Sequence, residues 1–290
     1  MNIAWTPIPI TGATLTESPR YAHHQWVWVD IPGKTLYRCQ TAMAANARQI
    51  ECTPLPDEVA CVLPTAQPDV WLLLGRNDGY TLHWNTNKPT VQAHHMRLPY
   101  DPSSHRFNDG QLGPDGAVWI SSLVDARQPN TGGLYRVEQN HAELKVGGLV
   151  VGNGLAFSPD GTQLWLADTR QRCIWRFEFN PDTGALGNRR LVAQYTTGNE
   201  RPDGATIGPD GHYWVAILEG ARLDRYTMTG ERLPAVAVPL KRPTMPCFGG
   251  EHGQWLLVTG LAHTTEHANA QGFEGAALAI GQLTTTQIQA

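Results

Sequence analysis

Apolar positions in this chain fall in short runs of about four to eight residues, bounded by Gly, Pro, Asn and Asp, as half-buried strands do. Six runs start on tryptophan: Trp28-Val-Asp30, Trp71-Leu-Leu-Leu74, Trp119-Ile-Ser121, Trp165-Leu-Ala-Asp168, Trp214-Val-Ala216 and Trp255-Leu-Leu-Val258. The tryptophans are separated by 43, 48, 46, 49 and 41 residues. Several are followed by a second run of similar flavour, as in Leu36-Tyr-Arg38, Leu134-Tyr-Arg136, Ile174-Trp-Arg176 and Leu223-Asp-Arg225. Helical periodicity is missing. A period in the forties with several short strands per repeat is the pattern of a β-propeller blade. Six repeats in 290 residues predict an all-β, six-bladed β-propeller. No compositional linker interrupts them, so residues 1–290 are expected to form a single domain.

Turn chemistry sets the order within a blade. Pro114-Asp115-Gly116, Pro159-Asp160-Gly161 and Pro209-Asp210-Gly211 each precede a tryptophan strand. Pro presets φ, Asp bonds the local backbone and Gly takes a positive φ, so each is expected to be an ordinary turn joining an inner strand to the tryptophan strand. The start of each inner strand then lies at the opposite end, beside a central channel. Loops after the tryptophan strands return to that end and form its rim, among them Arg76–Gly79, Asp125–Gly132 and the segment after Gly260. The stretch Ile3–Ile10 is expected to pair with the last blade, since an open sheet edge is a liability.

Composition narrows the partners. A net charge of −4 leaves no basic stripe for nucleic acid or an anionic membrane. Five cysteines, without Cys-x-x-Cys spacing, and no apolar leader or membrane-length run predict a soluble, cytoplasmic protein. Cys39, Cys52, Cys61 and Cys173 are read as packing residues.

One register carries oxygen-bearing side chains. Asn108, Asn153 and Asp203 precede the Pro of the next turn by six residues, and precede Trp119, Trp165 and Trp214 by 11, 12 and 11. Counting 11 back from Trp28 gives Glu17, whereas the other two blades give Ala60 and Thr244. Glu17, Asn108, Asn153 and Asp203 are therefore expected to converge at the channel mouth. Two carboxylates and two amides without a basic partner call for a divalent cation, and an all-oxygen set suits Ca²⁺, Mg²⁺ or Mn²⁺ better than a soft-ligand site. Zn or Fe are also kept as candidates.

Several motifs in order, Arg106-Phe-Asn-Asp-Gly110, Asn153-Gly-Leu-Ala156, Asn188-Arg-Arg190, Arg201-Pro-Asp-Gly204 and Cys247-Phe-Gly-Gly250, resemble the senescence marker protein/gluconolactonase/luciferin-regenerating-like family, which includes regucalcin. The resemblance runs from Glu17 to about Gly260. It implies a six-bladed propeller with one catalytic divalent metal that hydrolyses small sugar-acid lactones. Glu17, Asn153 and Asp203 match the family's metal ligands, and Arg106 and Asn108 match its substrate-contacting pair. Asp203 is then expected to be both ligand and general base. This chain has Glu17-Ser-Pro19 where many members have Glu-Gly-Pro, a change expected to leave the ligand undisturbed. The loop around Leu123-Val-Asp125-Ala126 lacks a glutamate that some members place there, which bears on substrate choice.

Two other classes compete: a phosphotriesterase of the same fold, because a cation that polarises C=O also polarises P=O, and a non-enzymatic Ca-binding or interaction propeller. His263-Thr-Thr-Glu-His267 fits the pattern H-x-x-E-H, but it follows a strand where a zinc site needs a helix. It is read as a rim loop within reach of substrate. His23-His24 and His94-His95 are read as surface pairs on strands, whose neighbouring side chains point to opposite faces. No Gly-x-Ser-x-Gly elbow or phosphate-binding Gly loop occurs.

Overall fold

A computed structural model describes residues 1, 3–8, 10, 12–39, 50–84, 89–94, 99–139, 141–262 and 278–284. The chain is a six-bladed β-propeller. After β1 (Trp5–Ile8), the first blade is β2 (Thr16–Ala22), β3 (Gln25–Asp30), β4 (Thr35–Cys39) and β5 (Glu51–Pro54). The second is β6 (Val59–Pro64), β7 (Val70–Gly75), β8 (Gly79–Trp84) and β9 (Pro89–His94). The third is β10 (His105–Leu112), β11 (Val118–Val124), β12 (Gly132–Glu138) and β13 (His141–Leu149). The fourth is β14 (Gly152–Phe157), β15 (Gln163–Asp168), β16 (Cys173–Asn180) and β17 (Ala185–Gln194). The fifth is β18 (Arg201–Ile207), β19 (Tyr213–Leu218), β20 (Arg222–Tyr226) and β21 (Arg232–Ala237). The sixth is β22 (Pro243–Gly249), β23 (Trp255–Gly260) and β24 (Leu278–Gln282), completed by β1. The expected clasp is thus present, with Trp5 opposite Gly281 and Ile8 opposite Leu278. Among the described residues no helix is long and apolar enough to cross a membrane.

Two compact units divide the chain, Met1–Glu58 with Gly204–Ala290, and Val59–Asp203. In the second, Trp119 packs with Leu134, Leu155, Leu164 and Phe177. In the first, Trp214 packs with Leu223, Leu256 and Val258. Five of the repeat tryptophans, Trp28, Trp71, Trp119, Trp165 and Trp214, are completely covered, while Trp255 is half-buried. The tryptophan strand is the second in its sheet each time, which is why its large side chain recurs: it fills the space between layers that a smaller residue would leave open.

The three Pro-Asp-Gly turns join inner to second strands as predicted, with the glycines at φ 76, 70 and 74. They are more than turns, however. Asp115 accepts the indole N–H of Trp119 at 3.1 Å and the Nε of Arg136 at 2.7 Å. Asp210 accepts from Trp214 at 3.0 Å and from Arg225 at 2.7 Å, and the Arg225 guanidinium lies 4.5 Å from the Trp214 ring centre. One carboxylate in each therefore ties the turn to the second and third strands. The fourth blade departs: Asp160 is exposed and bonds Ser158 and Thr162, leaving Trp165 to Gln163.

Two readings need correction. His23 and His24 form the tight turn between β2 and β3, at φ 52 and 60, and so are not strand residues, although they are exposed as expected. Cys52 is exposed, unlike Cys39, Cys61, Cys173 and Cys247. His95 and the His263–His267 motif lie outside the described residues.

Candidate functional site

The register residues lie in or immediately before an irregularity of the inner strand, Asn108 within it and Glu17 and Asn153 as the last paired residues ahead of it. Each inner strand with described pairing to its neighbour carries a β-bulge near its start. In β10, Asn108 and Asp109 together oppose Ser121; in β14, Gly154 and Leu155 oppose Leu166; in β2, Ser18 and Pro19 oppose Trp28. β6 and β22 are interrupted at the corresponding place. A bulge leaves a residue out of the ladder and re-aims its side chain, a recurrent device beside active sites. Where the bulge sequence is Ala60 or Thr244-Met245, the same geometry presents no carboxylate or amide.

Within the unit Val59–Asp203, three of the predicted residues meet. The Asn108 amide donates to Asn153 Oδ1 at 2.8 Å and to the Gly152 carbonyl at 2.9 Å. The Asn153 amide donates to Asp203 Oδ1 at 2.5 Å. Arg106, almost fully buried, donates to Asn108 Oδ1 and to the Phe107 carbonyl, each at 3.0 Å. A chain of polar contacts thus runs Arg106, Asn108, Asn153, Asp203. Immediately after Asp203, Gly204 is required by close approach, because a Cβ there would stand 2.6 Å from the Met245 Cβ.

Glu17 belongs to the other unit. It is the last paired residue before the β2 bulge, as Asn153 is before the β14 bulge, and it is half-buried. Its Oε2 accepts the Ser18 N–H at 3.3 Å. Ser18 has φ 51, as Gly154 after Asn153 has φ 58. In these two strands the position after the register residue takes the left-handed conformation, which explains why glycine suits it there; serine carries a strain of about 1–2 kcal/mol.

Two residues of the cluster were not singled out from sequence. Thr169 Oγ1 lies 2.7 Å from the Asn153 amide and 3.4 Å from Asp203 Oδ1. It follows Asp168, whose carboxylate is consumed by the backbone N–H groups of Val150, Val151, Arg170 and Gln171 and is structural. Asp109, also buried, accepts the N–H of Leu155 at 2.9 Å and so cross-links two bulges. Strand alternation sends Asp109 to the face opposite Asn108; the bulge cancels that rule, and only a bulge prediction would have found it.

Electrostatically, Asp203 is the unusual group. Its carboxyl is pushed up to about 7, by burial first and by the nearby Asp109 charge second, against the Thr169 hydrogen bond and the charges of Arg201 and Arg106. Its hydrogen-bond donors among the described residues, Asn153 and Thr169, are both neutral. Buried carboxylates are ordinarily paired with a cation or a metal. The oxygens present, a carboxylate, amide carbonyls and a hydroxyl, fit a hard divalent cation. Among the described residues no three His, Cys, Asp or Glu side chains are grouped to hold a metal, so any such site depends on amide oxygen.

A propeller whose bulged inner strands gather a buried carboxylate, two amides and an arginine is a scaffold with a polar, oxygen-rich site. The chain belongs to the SMP-30/gluconolactonase/LRE-like family, whose sequence profile matches residues 15–262. It is 31% identical over 257 residues to 6-deoxy-6-sulfogluconolactonase of Pseudomonas putida, covering 85% of this chain and 83% of that one. It is 29% identical over 245 residues to L-arabinolactonase of Azospirillum brasilense, covering 83% and 77%. In fold it is similar to the calcium-binding protein regucalcin of Agrobacterium tumefaciens, with a TM-score of 0.83 and 23% identity over 97% of this chain and 96% of that one.

Proposed function

We propose that this protein is a divalent-metal-dependent hydrolase of sugar-acid lactones. The observation that carries the reading is the buried Asp203 carboxylate, held by Asn153 and Thr169 and pushed up to about 7. Membership of the family, and lactonases among its relatives, support the substrate class.

Asn153, Asp203 and Glu17 are the proposed ligands, Glu17 on its matching bulge register and on the resemblance. When bound, the cation would polarise the lactone carbonyl and acidify a water; its identity, Ca²⁺ or another, is left to experiment. Asp203 takes the proton of the attacking water, the role of a positioned carboxylate general base. Thr169 and the Asn153 amide fix the direction of its lone pairs. Arg106 and Asn108, already joined, hold the carbonyl and ring-hydroxyl oxygens of the substrate and meet the negative charge that develops on ring opening. Because Arg106 is buried, its donors are pre-aimed and little reorganisation is needed.

Ring opening of aldono-1,4- and 1,5-lactones, followed by acid release before and after chelation, tests the reading. Activity is expected to disappear with chelator and return with a divalent cation. Asp203→Asn, assayed at saturating metal, is expected to fall by roughly 10²-fold or more, the scale of a lost general base. Undiminished turnover in the chelated protein would remove the metal from the proposal, and near-full activity of Asp203→Asn would move the base elsewhere.

A further inference from the structure

A side-chain amide has two ends of similar size and opposite character: an oxygen that a cation attracts and an N–H₂ that it repels. Around Asn153 the hydrogen bonds decide which end faces where. Arg106 can only donate, so the end of Asn108 that it meets at 3.0 Å is the oxygen. The Gly152 carbonyl can only accept, so the end of Asn108 at 2.9 Å is the nitrogen. The other N–H of Asn108, at 2.8 Å, then requires the Asn153 oxygen. On the far side, the two N–H groups of Asn153 go to Asp203 Oδ1 at 2.5 Å and to Thr169 Oγ1 at 2.7 Å. Every donor therefore points the same way along the chain, from guanidinium to carboxylate. Among the described residues, the capacity that Asn153 has left is one lone pair of its oxygen.

Thr169 is fixed to the strand that carries Asn153. Its N–H donates to the Val151 carbonyl at 3.0 Å, and its neighbour Asp168 pairs with Gly152. The Asp168 carboxylate holds the N–H groups of Val150, Arg170 and Gln171 at 2.7, 2.9 and 2.9 Å, which locks the turn around Thr169. Its buried hydroxyl is nearer to the Asn153 nitrogen than to Asp203 Oδ1, 2.7 Å against 3.4 Å. The first is a full hydrogen bond; the second is at the weak end of the range. Asp203 is itself a proposed ligand. Of the two acceptors of the Asn153 amide, Thr169 is thus the one with no duty toward a cation.

We propose that Thr169 is a positioning residue that selects the oxygen end of Asn153 for a divalent cation. It acts by holding the Asn153 N–H₂ away from the ion, and does not touch the ion. The proposal rests on the metal-dependent reading for the cation, but the two fail in distinguishable ways.

Calorimetric titration of the whole protein with Ca²⁺ or Mn²⁺ alone, without lactone, provides the test. Thr169→Val keeps the branched shape and removes the acceptor. Its Kd is expected to rise by roughly tenfold, the scale of one buried hydrogen bond lost. Thr169→Ser restores the hydroxyl and is expected to return close to wild type. The deciding arm repeats Thr169→Val in an Asn153→Asp background. A carboxylate offers oxygen at both ends and has no orientation to select, so Thr169→Val is expected to change Kd little there. An equal loss in both backgrounds would place the action of the hydroxyl on Asp203 or on the fold and overturn the proposal. Unchanged affinity of the Thr169→Val single variant would overturn it as well, and would leave the metal reading standing. Wild-type protein that takes up neither cation would remove the metal reading and this inference together. Should the valine variant fail to fold, Thr169→Ala gives the same comparison in both backgrounds.

Discussion

Cysteine reactivity shows how far burial decides chemistry at a single residue. Cys39, Cys61, Cys173 and Cys247 are buried, and burial pushes the Cys173 thiol up to about 12 and that of Cys247 up to about 11. Only thiolate attacks a disulfide reagent, so at pH 8 these two groups are inert as well as shielded. Cys52 lies exposed on β5; the covered part of its surface raises its thiol too, but access remains. Native protein is expected to release one equivalent of chromophore with an aromatic disulfide reagent, and five after denaturation. Rapid release of two or more from folded protein would contradict the burial. The sequence did not distinguish Cys52, because an outer strand carries weak patterning. At the site the legibility was similar. Asn108, Asn153 and Asp203 were found by counting from tryptophans, and the structure joins them. Asp109 and Thr169 were missed because a bulge and a strand-end hydroxyl leave no periodic trace.

At the scale of elements, the repeat of short runs revealed the strands, and the tryptophans fixed which strand was second. What repetition hid was the difference between copies of one motif. Pro114-Asp-Gly, Pro159-Asp-Gly and Pro209-Asp-Gly look alike in sequence. Yet Asp210 is buried against Arg225 and Trp214, whereas Asp160 faces solvent. Removing one member of a buried ion pair leaves the other charge uncompensated, which typically costs about 3–5 kcal/mol. An exposed turn carboxylate holding local backbone and hydroxyl groups is worth about 1 kcal/mol. Asp210→Ala is therefore expected to destabilise the protein several-fold more, in kcal/mol, than Asp160→Ala, as read from denaturant midpoints. Equal losses would mean that the Asp210–Arg225–Trp214 contact contributes little. The indole N–H groups of Trp28 and Trp71, buried without a hydrogen-bond partner among the described residues, show what blades lacking the Pro-Asp-Gly turn forgo.

For the whole molecule, the sequence implies one domain of 290 residues, and the fold contains two compact units. The boundary between them falls between Asp203 and Gly204, inside β18. A strand cut at that point leaves the fifth blade without a complete inner strand, and an incomplete sheet has an unpaired edge and an unfilled core. The sixth blade makes a second demand, because β1 from the amino terminus must pair with β24 near the other end of the chain. Long-range pairings of this kind form only when most of the intervening chain is ordered, since their loop-closure entropy must be met first. We therefore propose that the units unfold together. Calorimetry of the full chain is expected to give one endotherm whose van't Hoff and calorimetric enthalpies agree. Two resolved transitions, or a van't Hoff enthalpy near half the calorimetric one, would show that Val59–Asp203 and the remainder are independent domains. Divalent cation gives the same experiment a second reading. With the ligands proposed above, added metal is expected to raise the temperature of the transition, and Asp203→Ala to abolish most of that rise.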